Sequence, residues 1–194
     1  MSYTENFNKK VVENDSIGVG TKNHDTYCRP MHWEIQDTLI NADGTIAGRY
    51  NHINTVVDSC SKLIACLMKG QAGQTGLKYW AVGKGDGSWS NDAPPSPTVG
   101  DTKLLVETFR KAIRPEDIVF LDSGNQPTET ITNKLQITVT FLENEANGEL
   151  REFGLFGGNA NGSANSGFMV NRKIHPLIYK TSGMKLERII RITF

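Results

Sequence analysis

The stretch LQITVTFLENEANGELREFGLFGG, residues 135–158, decides the fold. Leu135, Ile137, Val139 and Phe141 alternate with polar residues, a period of two that sets all four side chains on one strand face. Glu145-Ala-Asn-Gly148 is a turn signal. Beyond it Leu150, Glu152 and Gly154 alternate with Arg151, Phe153 and Leu155, so the stretch reads as an antiparallel hairpin with one face turned to a core.

Working outward toward the C-terminus, Gly157 to Gly167 is a loop rich in Gly, Asn and Ser. Phe168 to Ile178 is extended and interrupted at Pro176. Thr181-Ser-Gly183 turns the chain into Lys185–Phe194. There Ile190, Ile192 and Phe194 share the inner face, predicted to stay in the core to the final residue, with Arg191 at a polar boundary. Toward the N-terminus, Asp117 to Leu121 is a short strand. Thr102 to Arg110 reads as a short helix with Leu104, Leu105 and Thr108 or Phe109 on one face. Residues 83–101 hold three of the seven prolines and form a long surface loop. Leu77 to Val82 is a short buried strand. Met31 to Ile40 is a strand with Trp33, Ile35 and Leu39 alternating, and Asn41-Ala-Asp-Gly44 turns it into a return strand at Thr45 to Gly48.

One helix stands out at Val56 to Lys69. Val56, Val57, Cys60, Leu63, Ile64, Leu67 and Met68 form a continuous stripe at helical spacing. Thr55 with Asp58 makes a capping-box-like start, and Gly70 suits the left-handed position after the last turn. Val57, Cys60, Ile64 and Leu67 are expected to pack on the face carrying Ile137 and Val139. Residues 1–30 are polar with little periodicity and read as an extended interaction arm. The fold class is therefore α+β: a mostly antiparallel β-sheet or sandwich with one main amphipathic helix (about 55–69), an arm at 1–30 and a single domain at 31–194.

The chain has 194 residues, with 21 Lys and Arg against 21 Asp and Glu, so its formal net charge is zero. A general polyanion binder needs a basic excess to gain from counterion release, and this chain has none. The polar N-terminus has no apolar signal region, and no apolar run reaches the roughly 18–20 residues of a membrane-spanning helix. Cys28, Cys60 and Cys66 are an odd set without framework spacing, which fits synthesis in a reducing cytoplasm.

Several groups invite chemistry, each with a plainer reading beside it. Gly83-Lys-Gly-Asp-Gly-Ser88 lacks the spacing of a phosphate loop and runs into prolines, so it reads as a glycine turn. His24, Cys28 and His32 have the spacing of one helix face and, with His52, could approach a zinc ion, but Pro30 disfavours that helix. The alternative is unrelated polar residues near the end of an arm. Cys60 reads as a small core residue and not as a redox partner of Cys66. His175 is the best single candidate for a catalytic histidine; its plainer reading is a hydrogen bond to a neighbouring loop. Glu143 and Glu145 sit beside a turn and read as solvated. Tyr79, Trp80 and Trp89 have the chemistry to stack on a sugar, with Trp80 reading as core. No residue is assigned as catalytic, cofactor-binding or metal-binding, and no enzyme activity is expected.

The order of segments carries more. The NTVVDSCSKLIACLMKG helix (54–70) precedes LKYWAVGKGDGSW (77–89), TKLLVETFRKAI (102–113), the 135–158 hairpin and the closing GFMVNRKIHPLIYKTSGMKLERIIRITF (167–194). Over residues 50–194 this resembles the small tail proteins of bacteriophages and phage-derived contractile particles. In particular it resembles the modules at the N-termini of tail or collar fibres. The matching pieces are Ala81-Val82-Gly83-Lys84-Gly85, Glu152-Phe153-Gly154-Leu155-Phe156 and Ile178-Tyr179-Lys180. The arm at 1–30 departs from that pattern, and so does the lack of a shaft after Phe194, which points to a short adaptor, baseplate or neck component. The resemblance implies a structural virion protein of the tail, made in the host cytoplasm and oligomeric within the particle. Its partners would be other tail, baseplate, neck or fibre proteins, without membrane, nucleic acid or cofactor. The alternative is a carbohydrate-binding module for host-surface glycans. A glycan-cleaving enzyme is the third reading, and it needs two carboxyls about 5–10 Å apart in a cleft.

Overall fold

Period-two alternation leaves each strand one apolar face to bury, and two sheets set face to face satisfy it. The computed structural model describes residues 33–194, with only the backbone of Ile53. Along the chain come β1 (Trp33–Ile40), β2 (Ile46–Ile53), β3 (Thr55–Val56), α1 (Asp58–Lys69), β4 (Leu77–Gly83) and β5 (Glu107–Ala112). A 3-10 turn (Pro115–Asp117) leads into β6 (Ile118–Leu121), β7 (Pro127–Thr128), β8 (Lys134–Phe141), β9 (Gly148–Gly157), β10 (Phe168–Lys180) and β11 (Lys185–Thr193). The strands form a six-stranded sheet, β2-β1-β11-β8-β6-β7, and a five-stranded sheet, β3-β10-β9-β4-β5. Every strand pair is antiparallel. The arm expected at 1–30, and His24, Cys28 and His32 with the zinc-like spacing, lie outside the described residues.

The main core lies between the sheets. Trp33, Ile35, Ile137, Phe141, Leu186, Ile190 and Ile192 come from the six-stranded sheet. Trp80, Val82, Phe153 and Leu155 meet them from the five-stranded one. Fully burying each such side chain contributes about 1.5–3 kcal/mol. A second, smaller cluster of Val57, Ala81, Leu104, Phe156, Ala160 and Met169 shows that the far side of β4 and β9 is covered as well. Every residue of β9 from Leu150 to Gly157 is consequently buried.

Four expectations are corrected. Thr102–Arg110 is not a helix: Glu107–Ala112 is strand β5, with Phe109 paired to Val82 and meeting Phe141 edge-on at 6.1 Å. The spacing of its apolar residues serves both periods, and pairing with β4 decides between them. Helix α1 begins at Asp58, because Thr55 and Val56 pair with Arg172 and Asn171 of β10. Its N-cap is Val57, without a side-chain cap. At its other end Gly70 is left-handed and donates to Leu67 O while Gln71 donates to Cys66 O, a Schellman close. The helix packs chiefly on β10. Cys60 and Leu63 are buried, while Leu67 is 42% exposed. Phe194 is 53% exposed; its backbone N–H donates to Asn133 O, so β11 ends clipped, with Ile192 as its last core residue.

Candidate functional site

The covered face of the five-stranded sheet is where charged side chains concentrate. Gly83 ends β4, and a Cβ there would collide with the Val106 carbonyl and the Glu152 carboxylate, so glycine lets the loop 84–106 return flat across the sheet. Glu152, fully buried on β9, accepts from Val106 N at 2.9 Å through Oε1 and from Leu105 N at 3.1 Å through Oε2. Arg172 of β10 donates to Glu152 Oε2 through Nη2 at 2.6 Å and to Asp101 Oδ2 through Nη1 at 2.8 Å. Burial raises the Asp101 carboxyl, but hydrogen bonds from Thr98 and Arg172 outweigh it and hold it below the ordinary range. Further along the loop, Val99 O accepts from Asp58 N, one of the free amides at the helix start. Arg151 holds Asn91 Oδ1 at 2.8 Å.

The loop 158–167 is tied into the same layer. The Arg110 guanidinium donates to Asn161 O and Ser166 Oγ, both at 2.7 Å, and is clamped by Glu107. It lies 4.8 Å from the Phe156 ring centre and 5.2 Å from that of Tyr79. Asn165 accepts from Leu104 N and donates to Leu104 O, side-chain bonds that join the two loops as strand pairing would. The result is one loop layer fixed by buried ion pairs, with polar residues such as Lys84, Asp86, Ser90 and Asp92 exposed.

Between the sheets lies a second charged group that shares no surface with the loops. Arg188 of β11 places Nη2 3.0 Å from Asp37 Oδ2 of β1 and 3.1 Å from His175 Nε2 of β10. His175 Nδ1–H donates to Pro176 O at 2.7 Å, which leaves Nε2 free to accept from Arg188. Burial, reinforced by the Arg188 charge, pushes His175 down to about 3. It is neutral at ordinary pH, a donor through Nδ1 and an acceptor through Nε2. Burial would raise the Asp37 carboxyl, but Arg188 and the nearby His52 imidazole outweigh this and hold it low. The Arg188 guanidinium also lies 4.3 Å from the Phe153 ring centre. This group ties β1 and β11 of one sheet to β10 of the other.

The β8–β9 turn is built the same way. Lys180, fully buried, donates to Leu142 O at 2.7 Å and Asn147 Oδ1 at 2.8 Å. Lys111 pairs with Glu145, which also accepts from Leu142 N. Glu145 is thus a structural turn residue and not a solvated one. Glu143 is exposed and pairs with Lys185 at 3.2 Å.

The other sequence candidates scatter. His175 lies in the core against Arg188, not against a loop. His52 stacks on it at 5.6 Å. Cys60 is buried, and burial pushes its thiol up to about 11, so it is unreactive; Cys66 is half-buried. Trp80 is core, Tyr79 lies under Arg110, and Trp89 packs over Gly85, so the three aromatics line no common groove. Two hollows, of about 360 and 650 Å³, lie along the six-stranded sheet. Glu34, Gln36, Asn51 and Arg191 are among the lining residues of one, and Arg114, Asp117, Gln136 and Thr138 of the other. Neither is lined by Trp, Tyr or Phe; the one ring at the first is the His52 imidazole. Among the described residues no group of three His, Cys, Asp or Glu side chains is placed to hold a metal ion, and no helix is long and apolar enough to cross a membrane. Sequence reading missed Glu152, Arg172, Arg110, Asp37 and Arg188. The available signal was charge at inward positions of strands, as at Arg188 between Leu186 and Ile190.

In comparisons with protein-family models, with curated proteins and with solved structures, nothing matches the chain.

Proposed function

We propose that this chain is a structural subunit of the tail of a phage or phage-like contractile particle. In this reading it links tail, baseplate or neck to fibres by protein–protein contacts, and it is made in the cytoplasm of the host. The observation that carries the reading is the loop layer: Glu152, Arg172, Arg151 and Arg110 spend their charges fixing loops 84–106 and 158–167 to the sheet. A surface ordered before contact avoids an ordering cost of about 0.5–1.5 kcal/mol for each immobilised side chain, which is what an assembly subunit needs. The resemblance of its segment order to tail and collar-fibre modules supports the same reading. Glycan binding is the weaker alternative, because Tyr79 and Trp89 are held within the loop layer and neither hollow is lined by Trp, Tyr or Phe.

The test is to purify tail particles from the source on a density gradient and identify their proteins by mass spectrometry. The chain is expected to travel with the tails in a fixed ratio to the other components. Its absence from intact tails, together with retention on a glycan array, would replace this reading with the glycan one.

A further inference from the structure

A sheet edge presents unpaired N–H and C=O groups to any other strand unless it is shortened, charged or covered. Among the described residues the two sheets have four edges, and three are protected. β7 is two residues long and begins with Pro127, which has no N–H to offer. β3 is also two residues long. β5 carries Glu107, Arg110 and Lys111 within six residues, and Arg110 ties the 158–167 loop to it. β2 is different. It runs for eight residues, IAGRYNHI, with Arg49 as its only Lys, Arg, Asp or Glu, and Ile46, Ala47, Arg49 and Asn51 are exposed along it.

We propose that β2 pairs with β2 of a second copy of this chain, so that two six-stranded sheets join into one across a two-fold axis. A two-fold normal to the sheet makes the two β2 strands antiparallel, the direction of every pair already in the fold. Charge selects the register. Arg49 and Asn51 pair with Thr38 and Gln36 of β1 and share the outer face, whereas Tyr50 lies opposite the buried Asp37 on the inner one. An axis through Arg49 would set two guanidiniums directly opposite, which is unfavourable. Moving the axis one residue, to Tyr50, sets Arg49 opposite the second copy's Asn51, whose amide oxygen accepts from a guanidinium. Symmetry repeats that contact, and residues 48–52 of both strands, clear of the bulge at Ala47, are then in register. The pairing rests on the sheet edge and not on the tail reading, so it holds for the chain outside any particle.

Sedimentation equilibrium of the full chain over a wide concentration range tests it, with hydrogen exchange of the β2 amides followed on dilution. A monomer–dimer equilibrium is expected, with the alternate amides of residues 48–52 that face away from β1 losing protection on dilution while those of β11 keep theirs. Asn51→Lys places like charges opposite each other and is expected to raise the dimer Kd at least tenfold. Asn51→Glu is expected to lower it. Asn51 is exposed, so the thermal melts of both variants should match the parent; if Asn51→Lys fails to fold, the exchange of the parent chain decides. A chain that stays monomeric at every concentration overturns the proposal. So does a dimer whose Kd neither Asn51 substitution moves.

Discussion

The guanidinium of Arg188 stands 3.0 Å from the carboxylate of Asp37, and neither side chain reaches solvent. Removing one partner of a buried pair leaves an uncompensated charge and costs about 3–5 kcal/mol, whereas replacing both with apolar groups is often close to neutral. Arg188→Met is therefore expected to destabilise by about that amount, and Arg188→Met with Asp37→Leu by less than Arg188→Met alone. Denaturant melts of the two single variants and the double variant check this. Losses that simply add would mean the pair is not coupled.

The same cluster sets a pH dependence. Unfolded, an imidazole titrates near 6.5; in the fold His175 is pushed down to about 3 by burial and by Arg188. Below about pH 6.5 the unfolded chain takes up a proton that native His175 refuses. Stability is full above that pH and falls as pH drops toward 3, by up to about 1.4 kcal/mol per pH unit. His175→Gln keeps an acceptor for Arg188 and removes the titration. Its melting temperature should fall less than the parent's between pH 7 and 5, and an identical slope would assign the acid sensitivity elsewhere.

Glu152 holds the loop layer from beneath. Glu152→Gln keeps most of the shape but leaves Arg172 with Asp101 as its only anion. The expected loss is on the order of 2–4 kcal/mol, with faster amide exchange at Leu105 and Val106 and earlier proteolysis between residues 84 and 106. Unchanged exchange at those two amides would show that the loop is held by other contacts.

In the helix, Leu63 is buried with its side chain against Gly157, and Leu67 is 42% exposed. Leu63→Ala is expected to cost about 2–5 kcal/mol and Leu67→Ala less than about 1 kcal/mol, read from denaturant midpoints. Equal losses would mean that the helix packs through its Leu67 side.

The strands were legible wherever one face is apolar, because alternation at Leu135–Phe141 and Lys185–Thr193 follows from burial of one side of a sheet. The helix was legible from its stripe, but its start was not, since Thr55 and Val56 are claimed by β10, a partner more than a hundred residues away in sequence. Glu107–Ala112 reads as helix because the spacing of its apolar residues serves both periods, and only pairing with β4 decides between them. The charged clusters were the least legible. Glu152 and Arg172 look like ordinary surface residues until the loop 84–106 folds over them, and nothing local marks Asp37 as the partner of Arg188. Phe194 alternates correctly with Ile192, yet the strand ends one residue before it.

In the proposed tail role, the fixed loop layer is the surface that meets neighbouring proteins of the particle. Lys84 and Lys103 are exposed on loop 84–106, which makes amine cross-linking of purified tail particles, read by mass spectrometry, its most direct test. The predicted result is cross-links from Lys84 and Lys103 to a different tail, baseplate, neck or fibre protein. Cross-links from these two lysines that stay within the chain, in particles that contain it, would contradict the claim.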